Sequence, residues 1–424
     1  MIAAALATNL MGFVDTLMVG RLGDAALGGV GIGGQLFFLL LATGLGLTAG
    51  VQALVARRVG EGRVKETGKV LNAGILLAVV VAVVLMSLAY PLMSVVFGAI
   101  NADPLINAAG LDYLATRLPS LLFMGLTLVF RSYWIGVSQA GLSMIAILTL
   151  SLANVLFNYM LIFGNFGAPR MGVAGAGLGS TLAVLVGLLV NLGFALRFAS
   201  GNGFLRGLPD ATHIRTLLRI SAPESVRQIL FSIGVVVMYM LIGRIGMREL
   251  AAFHVVISIC LIAYLPHIGI GGAATTLVGE ALGRKDTRDA MAWGWQVSNF
   301  GLLVLTGLGI AVASFPQLIL RLFLVDEGTL AIAIIPLQLA VFAHVLDGYG
   351  KILGAALIGA GATRVAMRLT LLPQWLLLLP LLALTVSLGF GLREAMAVFI
   401  GSVAVAALLL AWAWRGAQWA ELEL

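Results

Sequence analysis

The nonapeptide VGRLGDAAL, Val19–Leu27, returns 223 residues later as IGRIGMREL, Ile242–Leu250. Each copy closes one apolar run, turns through a short polar joint and opens the next apolar run. That is the signature of two antiparallel helices in an apolar solvent. At the same offset Gly46 meets Gly269, Leu54-Val55 meets Leu277-Val278, and Gly60 meets Gly283. Further on, SQAGLS at Ser138–Ser143 resembles IGAGAT at Ile358–Thr363, here at an offset of 220. The chain therefore reads as two related halves.

Composition says what solvent those halves occupy. Of the 424 residues 61% are hydrophobic and 10% charged, and the mean hydropathy is +1.09. Soluble domains carry about 25% charged residues, and a soluble fold cannot bury this much apolar surface. A membrane helix needs roughly 20 apolar residues. Twelve such runs are legible, at about 1–19, 27–56, 70–98, 108–137, 141–164, 172–198, 217–242, 250–280, 291–320, 331–358, 365–388 and 394–414. The opening run lacks a basic leader segment and reads as a span. The expected fold class is all-α integral membrane, with twelve transmembrane helices in two parallel pseudo-symmetric six-helix bundles around a central cavity. The expected domains are residues 1–199, a cytoplasmic linker 200–216, and 217–424.

Charge sets the orientation. Loops after even-numbered spans hold 14 basic residues, from Arg57 and Arg58 to Arg364 and Arg368, and loops after odd-numbered spans hold 6. Basic loops stay cytoplasmic, so both termini are expected there, in a multi-pass protein of the bacterial inner membrane. The net charge of +7 belongs to these loops rather than to a nucleic-acid surface. Because each half has an even number of spans, the repeats are parallel, a recurring transporter design. Position 223 maps to a point just before Met1, so a start upstream, or an unusually short first helix, is expected. The single cysteine, Cys260, excludes a disulfide framework, and no histidine pair has metal-ligand spacing.

Ionisable residues inside spans are costly, by roughly 2.5–3.5 kcal/mol each, and mark function by default. Asp15 is the only acid of the first span: a proton or cation site, or an interface residue. Asn154 and Asn158 share one face of span five and serve either as ligands or as interhelical glue. Asp347 and Lys351 pair at i, i+4 with His344 one turn before, as a coupling cluster or a self-neutralised pair. Glu224 and Arg227 sit near the start of span seven as a gate or a structural pair. Arg131 and Lys351 fall together at offset 220 as counter-charges or snorkelling cations. Glycine runs at Gly28–Gly34 and Ile268–Ala274 follow no strand and lack the lysine of a phosphate loop. Pro119, Pro266 and Pro380 predict kinks.

At VDTLMVGRLGDAALGGVG (14–31) the chain resembles the first helix of the multidrug and toxic compound extrusion (MATE) family. The resemblance continues through ARRVGEGR (56–63), NVLFNYMLIFG (154–164), GVAGAGLGST (172–181) and FAHVLDGYGKILGAALIGAGATR (342–364). It implies export of amphipathic, often cationic compounds by antiport with protons or sodium. It places the family's ion-coupling aspartate on Asp15, its fifth-helix Asn and Asp on Asn154 and Asn158, and its sixth-helix hydroxyl on Ser180 or Thr181. The tenth-helix aspartate falls on Asp347. Asn158 removes a carboxylate, which favours the proton, with sodium at Asp15 as the sole metal reading. The seventh-helix glutamate of other branches falls on Phe231, with Glu224 seven residues earlier; this points to the DNA-damage-inducible-F-like branch. The expected partners are small-molecule substrates and the bilayer, with no cofactor, no nucleic acid and a monomeric state. A lipid-linked precursor flippase and a polytopic membrane enzyme are the rival readings. For the enzyme, no catalytic constellation is found in a polar loop.

Overall fold

The computed structural model describes residues 11–12, 14–207, 209–324 and 326–422. It is helical almost throughout, and the described part of every expected span falls on a helix. The described part of the first helix, α1, ends at residue 20. It is followed by α2 (Asp24–Gly60), α3 (Thr67–Ile100), α4 (Pro104–Arg117), α5 (Ser120–Gly136), α6 (Ala140–Phe163) and α7 (Gly172–Phe194). The second half contains α8 (Ala211–Gly243), α9 (Met247–Gly283), α10 (Thr287–Ser314), the short α11 (Pro316–Leu320) and α12 (Glu327–Gly359). It closes with α13 (Thr363–Leu372), α14 (Leu379–Ser387) and α15 (Leu392–Arg415). A π-helical segment, Pro373–Leu378, joins α13 to α14 in one span, and another, Ala195–Ala199, extends α7. Outer faces carry large exposed apolar side chains such as Leu152 (74%), Leu303 (72%) and Trp412 (73%). Only lipid makes such faces tolerable.

The repeat is written in the helix ends. α2 and α9 are both 37 residues long and begin and end 223 residues apart. Asp103 caps α4 by accepting from the Leu105 amide at 2.8 Å, and Asp326 caps α12 by accepting from the Thr329 amide at 2.8 Å. These two aspartates also lie 223 apart, and each satisfies amides that the first turn leaves open. α5 and α12 end at Gly136 and Gly359, and α6 and α13 begin at Ala140 and Thr363, again at 223. The offset of 220 read from SQAGLS is thus three residues short. Arg131 corresponds to Gly354 and Lys351 to Leu128, so the two cations are not repeat equivalents. The apolar sequence there matches itself in several registers; the helix ends choose one.

The halves differ at one bend. α4 and α5 form one span bent by 50° at Leu118-Pro119, whereas α12 runs unbroken through the same stretch. Pro119 has no amide hydrogen for the carbonyl of residue 115. Tyr90 Oη donates to that carbonyl at 3.2 Å, Thr181 Oγ1 to the Thr116 carbonyl at 2.8 Å, and Ser120 Oγ to the Arg117 carbonyl at 2.6 Å. Three hydroxyls therefore cover the carbonyls at the break, where open carbonyls would be costly. The kink expected at Pro119 is present. In the second half position 119 becomes Phe342, which keeps its amide.

The chain divides into two compact units between Ser225 and Val226, inside α8, rather than within 200–216. Gly46 and Gly50 of α2 lie against Ser221 and Ser225 with no room for a Cβ, and Ser225 Oγ donates to the Thr43 carbonyl at 2.7 Å. The opening turns of α8 thus fold with the first unit. The connection before them is also held: Asn72 donates to the Gly203 carbonyl and accepts from the Leu205 amide, at 3.2 and 3.1 Å. Within the first unit Gly29 and Gly110 bring α2 and α4 to backbone contact. The second unit packs around Met238, Phe253, Ala340, Leu378 and Leu382.

Candidate functional site

In the first unit a buried apolar layer takes one residue from each of four helices, Val19 of α1, Tyr113 of α4, Ile162 of α6 and Ala176 of α7, and is completed by Ala26 of α2. Helical side chains four residues apart share a face. One turn along each helix from this layer lie Asp15, Arg117, Asn158 and Ser180. The steps are −4 on α1 and α6 and +4 on α4 and α7, as antiparallel neighbours require. Sequence residues 165 apart thus meet at one depth.

Their polar atoms form a chain. Asn158 Nδ2 donates to Asp15 Oδ1 at 2.7 Å and reaches Asn154 Oδ1 at 3.4 Å. Asn154 Nδ2 donates to Ser180 Oγ at 3.1 Å. Asn154, Asn158 and Ser180 are buried, and Asp15 is half-buried. Gly179 makes room for this: a Cβ there would strike Asn158 Oδ1. That oxygen is buried and has no hydrogen-bond partner among the described residues. The arrangement suits a carboxyl that changes protonation state. Ionised, Asp15 accepts the amide hydrogen of Asn158. Protonated, it gains an O–H to donate, and the Asn158 amide, turned over, presents its open oxygen as the acceptor.

Sequence reasoning left Ser180 and Thr181 as alternatives. The structure places Ser180 in the chain, while Thr181 donates to the backbone carbonyls of Thr116 and Gly177 at 2.8 and 2.9 Å. Its hydroxyl pins the α4 break. Sequence reasoning missed Arg117, which the break delivers to the Asp15 layer. Its guanidinium lies over Phe37, 4.9 Å from the ring centroid, and 6.0 Å from that of Tyr113. Nε and Nη1 are buried without hydrogen-bond partners among the described residues. The available signal was a cation two residues before a proline inside an apolar span.

In the second unit Lys351 Nζ sits 2.6 Å from Asp347 Oδ2 and 4.9 Å from the centroid of the Phe231 ring. Phe231 thus offers Lys351 an aromatic face. Gln374 Nε2 donates to the Phe231 carbonyl at 3.1 Å. His344, one turn before Asp347, lines a small apolar cavity with Cys260, Leu305 and Val341. Glu224 is buried in the part of α8 that folds with the first unit, and Arg227 follows in the second. Among the described residues no group of three His, Cys, Asp or Glu could hold a metal ion.

Comparison with known proteins agrees with this architecture. The MatE family model matches twice, over residues 1–160 and 223–384, once per half. A "Probable multidrug resistance protein NorM" of Synechococcus is 31% identical over 401 residues, covering 88% of this chain and 82% of its own. A protein of the same name from Pseudomonas aeruginosa is 30% identical, covering 99% and 88%. A solved outward-facing multidrug resistance MATE family transporter of the MOP superfamily superposes with a TM-score of 0.91 at 19% identity, covering 100% and 95%. The bent form of the Vibrio cholerae MATE transporter VcmN gives 0.90 at 16%, covering 98% and 94%.

Proposed function

This chain belongs to the MatE family, a family of membrane transporters and not of enzymes, and on that footing we propose that it is a proton-coupled multidrug exporter. Its substrates are amphipathic, often cationic small molecules, moved out across the bacterial inner membrane in exchange for protons. Both termini lie in the cytoplasm, and the protein works as a monomer without a bound cofactor. The names of its relatives support the multidrug reading. The observation that carries the coupling is the chain Asp15–Asn158–Asn154–Ser180. It contains a single carboxylate whose hydrogen-bond partner, an amide, can either donate or accept. The branch placement rests on Phe231 standing where a glutamate would be.

The mechanism follows from the cost of a buried charge. An ionised Asp15 needs its amide donor and nearby positive charge; a protonated Asp15 can be enclosed at lower cost. Protonation therefore biases the first unit between two packings. A proton and a drug that favour opposite packings exchange with each other. The flippase reading rests on Arg131, Lys351 and Arg227 as cavity cations, and one of the three, Lys351, is paired with Asp347 at 2.6 Å, which weakens it.

The test is efflux of a fluorescent cation from proteoliposomes under an imposed pH gradient. Asp15→Asn, which keeps size and hydrogen bonding, is expected to reduce efflux to background while the protein elutes and melts as the parent does. Parental efflux from that variant overturns the assignment.

A further inference from the structure

The Asp15 layer holds two charges of opposite sign. Residues 1–13 contain no ionisable side chain, and α2 has none between Asp24 and Arg57. On α3 the nearest titratable group is Tyr90, whose hydroxyl is spent on the Ala115 carbonyl. α4 contributes Arg117 and Tyr113, with Asp112 pointing to its exposed side. α5 contributes Arg131 and Tyr133 several turns further along. α6 offers only Tyr159, and α7 nothing between Gly172 and Phe194. With Asp15 ionised the layer sums to zero.

Arg117 is built into this place. Pro119 breaks the span, three hydroxyls hold the break, and Phe37 and Tyr113 flank the guanidinium. Its buried Nε and Nη1 have no hydrogen-bond partner among the described residues.

We propose that Arg117 is the tethered cation of this site and the residue that fixes the coupling ion as the proton. This rests on the reading of Asp15 as the coupling carboxyl. A metal cation needs several oxygen ligands around a negative host. Here it would find one carboxylate, an amide in place of a second, and a positive charge already in the layer. A positive charge in the same partly buried layer repels a second cation strongly enough to cost roughly tenfold or more in affinity. The same charge works against a proton on Asp15, but a proton needs only one carboxylate oxygen, with which it forms a covalent O–H bond, whereas a metal cation must also find the further oxygen ligands.

The test reads equilibrium binding of radioactive sodium to the purified full-length protein, independent of transport. The parent and Arg117→Lys are expected to show no saturable binding. Arg117→Gln is expected to gain saturable binding, and to lose it again when combined with Asp15→Asn. Should Arg117→Gln fail to fold, Asn158→Asp decides, because it shifts the same charge balance without touching Arg117; it too is expected to gain sodium binding. Saturable, Asp15-dependent sodium binding in the parent overturns the proposal. So does the absence of binding in a folded Arg117→Gln or, should that variant not fold, in Asn158→Asp. Failure of the proton-exporter reading is separate: there the parent ignores an imposed pH gradient, whatever the sodium data show.

Discussion

The two units repeat the same helices but not the same chemistry. Counted from the helix ends at residue 20 and Gly243, Asp15 of the first unit becomes Met238 in the second. Arg117 becomes Ala340, and Asn154 and Asn158 become Leu378 and Leu382, counted from Phe163 and Ser387. Ser180 becomes Ile400. Met238, Ala340, Leu378 and Leu382 are buried together in one apolar cluster. The fold needs these positions filled and in contact; it does not need them polar. Polarity at these positions in the first unit is thus not something the shared fold requires, and it is accompanied by a local structural difference, the Pro119 break that Phe342 lacks.

Exchanging roles between the units tests the contrast most severely. Asp15→Asn should abolish gradient-driven efflux with little change in melting temperature. Met238→Ala, at the equivalent position, should do the reverse. It costs about 2–5 kcal/mol of stability, as core truncations do, while residual efflux stays gradient-dependent. Equal transport phenotypes from the two would erase the asymmetry. Thermal melts and efflux on the same preparations decide it.

Next in size is Gly179→Ala. The added methyl strikes Asn158 Oδ1 and displaces the amide from Asp15. Efflux should fall by roughly tenfold, on the order of one lost charge-assisted hydrogen bond. An unchanged rate would mean that the Asn158 contact is not needed for coupling.

In the second unit Lys351→Met leaves Asp347 without its ammonium. The pair is largely buried, with 17% and 22% of the side chains exposed. The expected cost is about 1–3 kcal/mol, between an exposed and a fully buried pair. The double variant with Asp347→Asn should recover most of it, as a self-neutralised structural pair requires.

The smallest effect lies in the loops. The turn after α2 holds a network, Arg58 to Glu61 at 2.5 Å and Arg63 to Glu66 at 2.6 Å. Its counterpart after α9 includes an ion pair, Arg284 to Asp289 at 2.7 Å. Burial pushes the Glu66 carboxyl upward. The Arg63 hydrogen bond and the charges of Arg63, Arg58 and Lys69 outweigh it, leaving Glu66 below the ordinary value of 4.5. A lowered folded value means the stabilisation is complete above that ordinary value and is lost as pH falls through the folded one. Glu66→Gln should therefore cost under about 1 kcal/mol at neutral pH. The difference from the parent should vanish in acid, read as melting temperature against pH.

Much of this protein is legible along the chain alone. Apolar run length settles that helices cross a bilayer, because backbone polar groups there must be satisfied within the helix. The VGRLGDAAL echo settles the repeat, because a short polar joint between two spans is legible locally. Asp15, Asn154, Asn158 and Asp347 stand out because polar groups are rare and costly in such runs. Three things came only from packing in three dimensions. Packing chose the register at the α5–α6 turn, where apolar sequence matches itself at 220 as well as 223 and only helix ends discriminate. It separated Ser180 from Thr181, adjacent hydroxyls about 100° apart around α7, sending one to the amide chain and the other to the α4 backbone. And it brought Arg117 level with Asp15, because proximity across helices depends on how packed faces meet, which spacing along one chain does not encode.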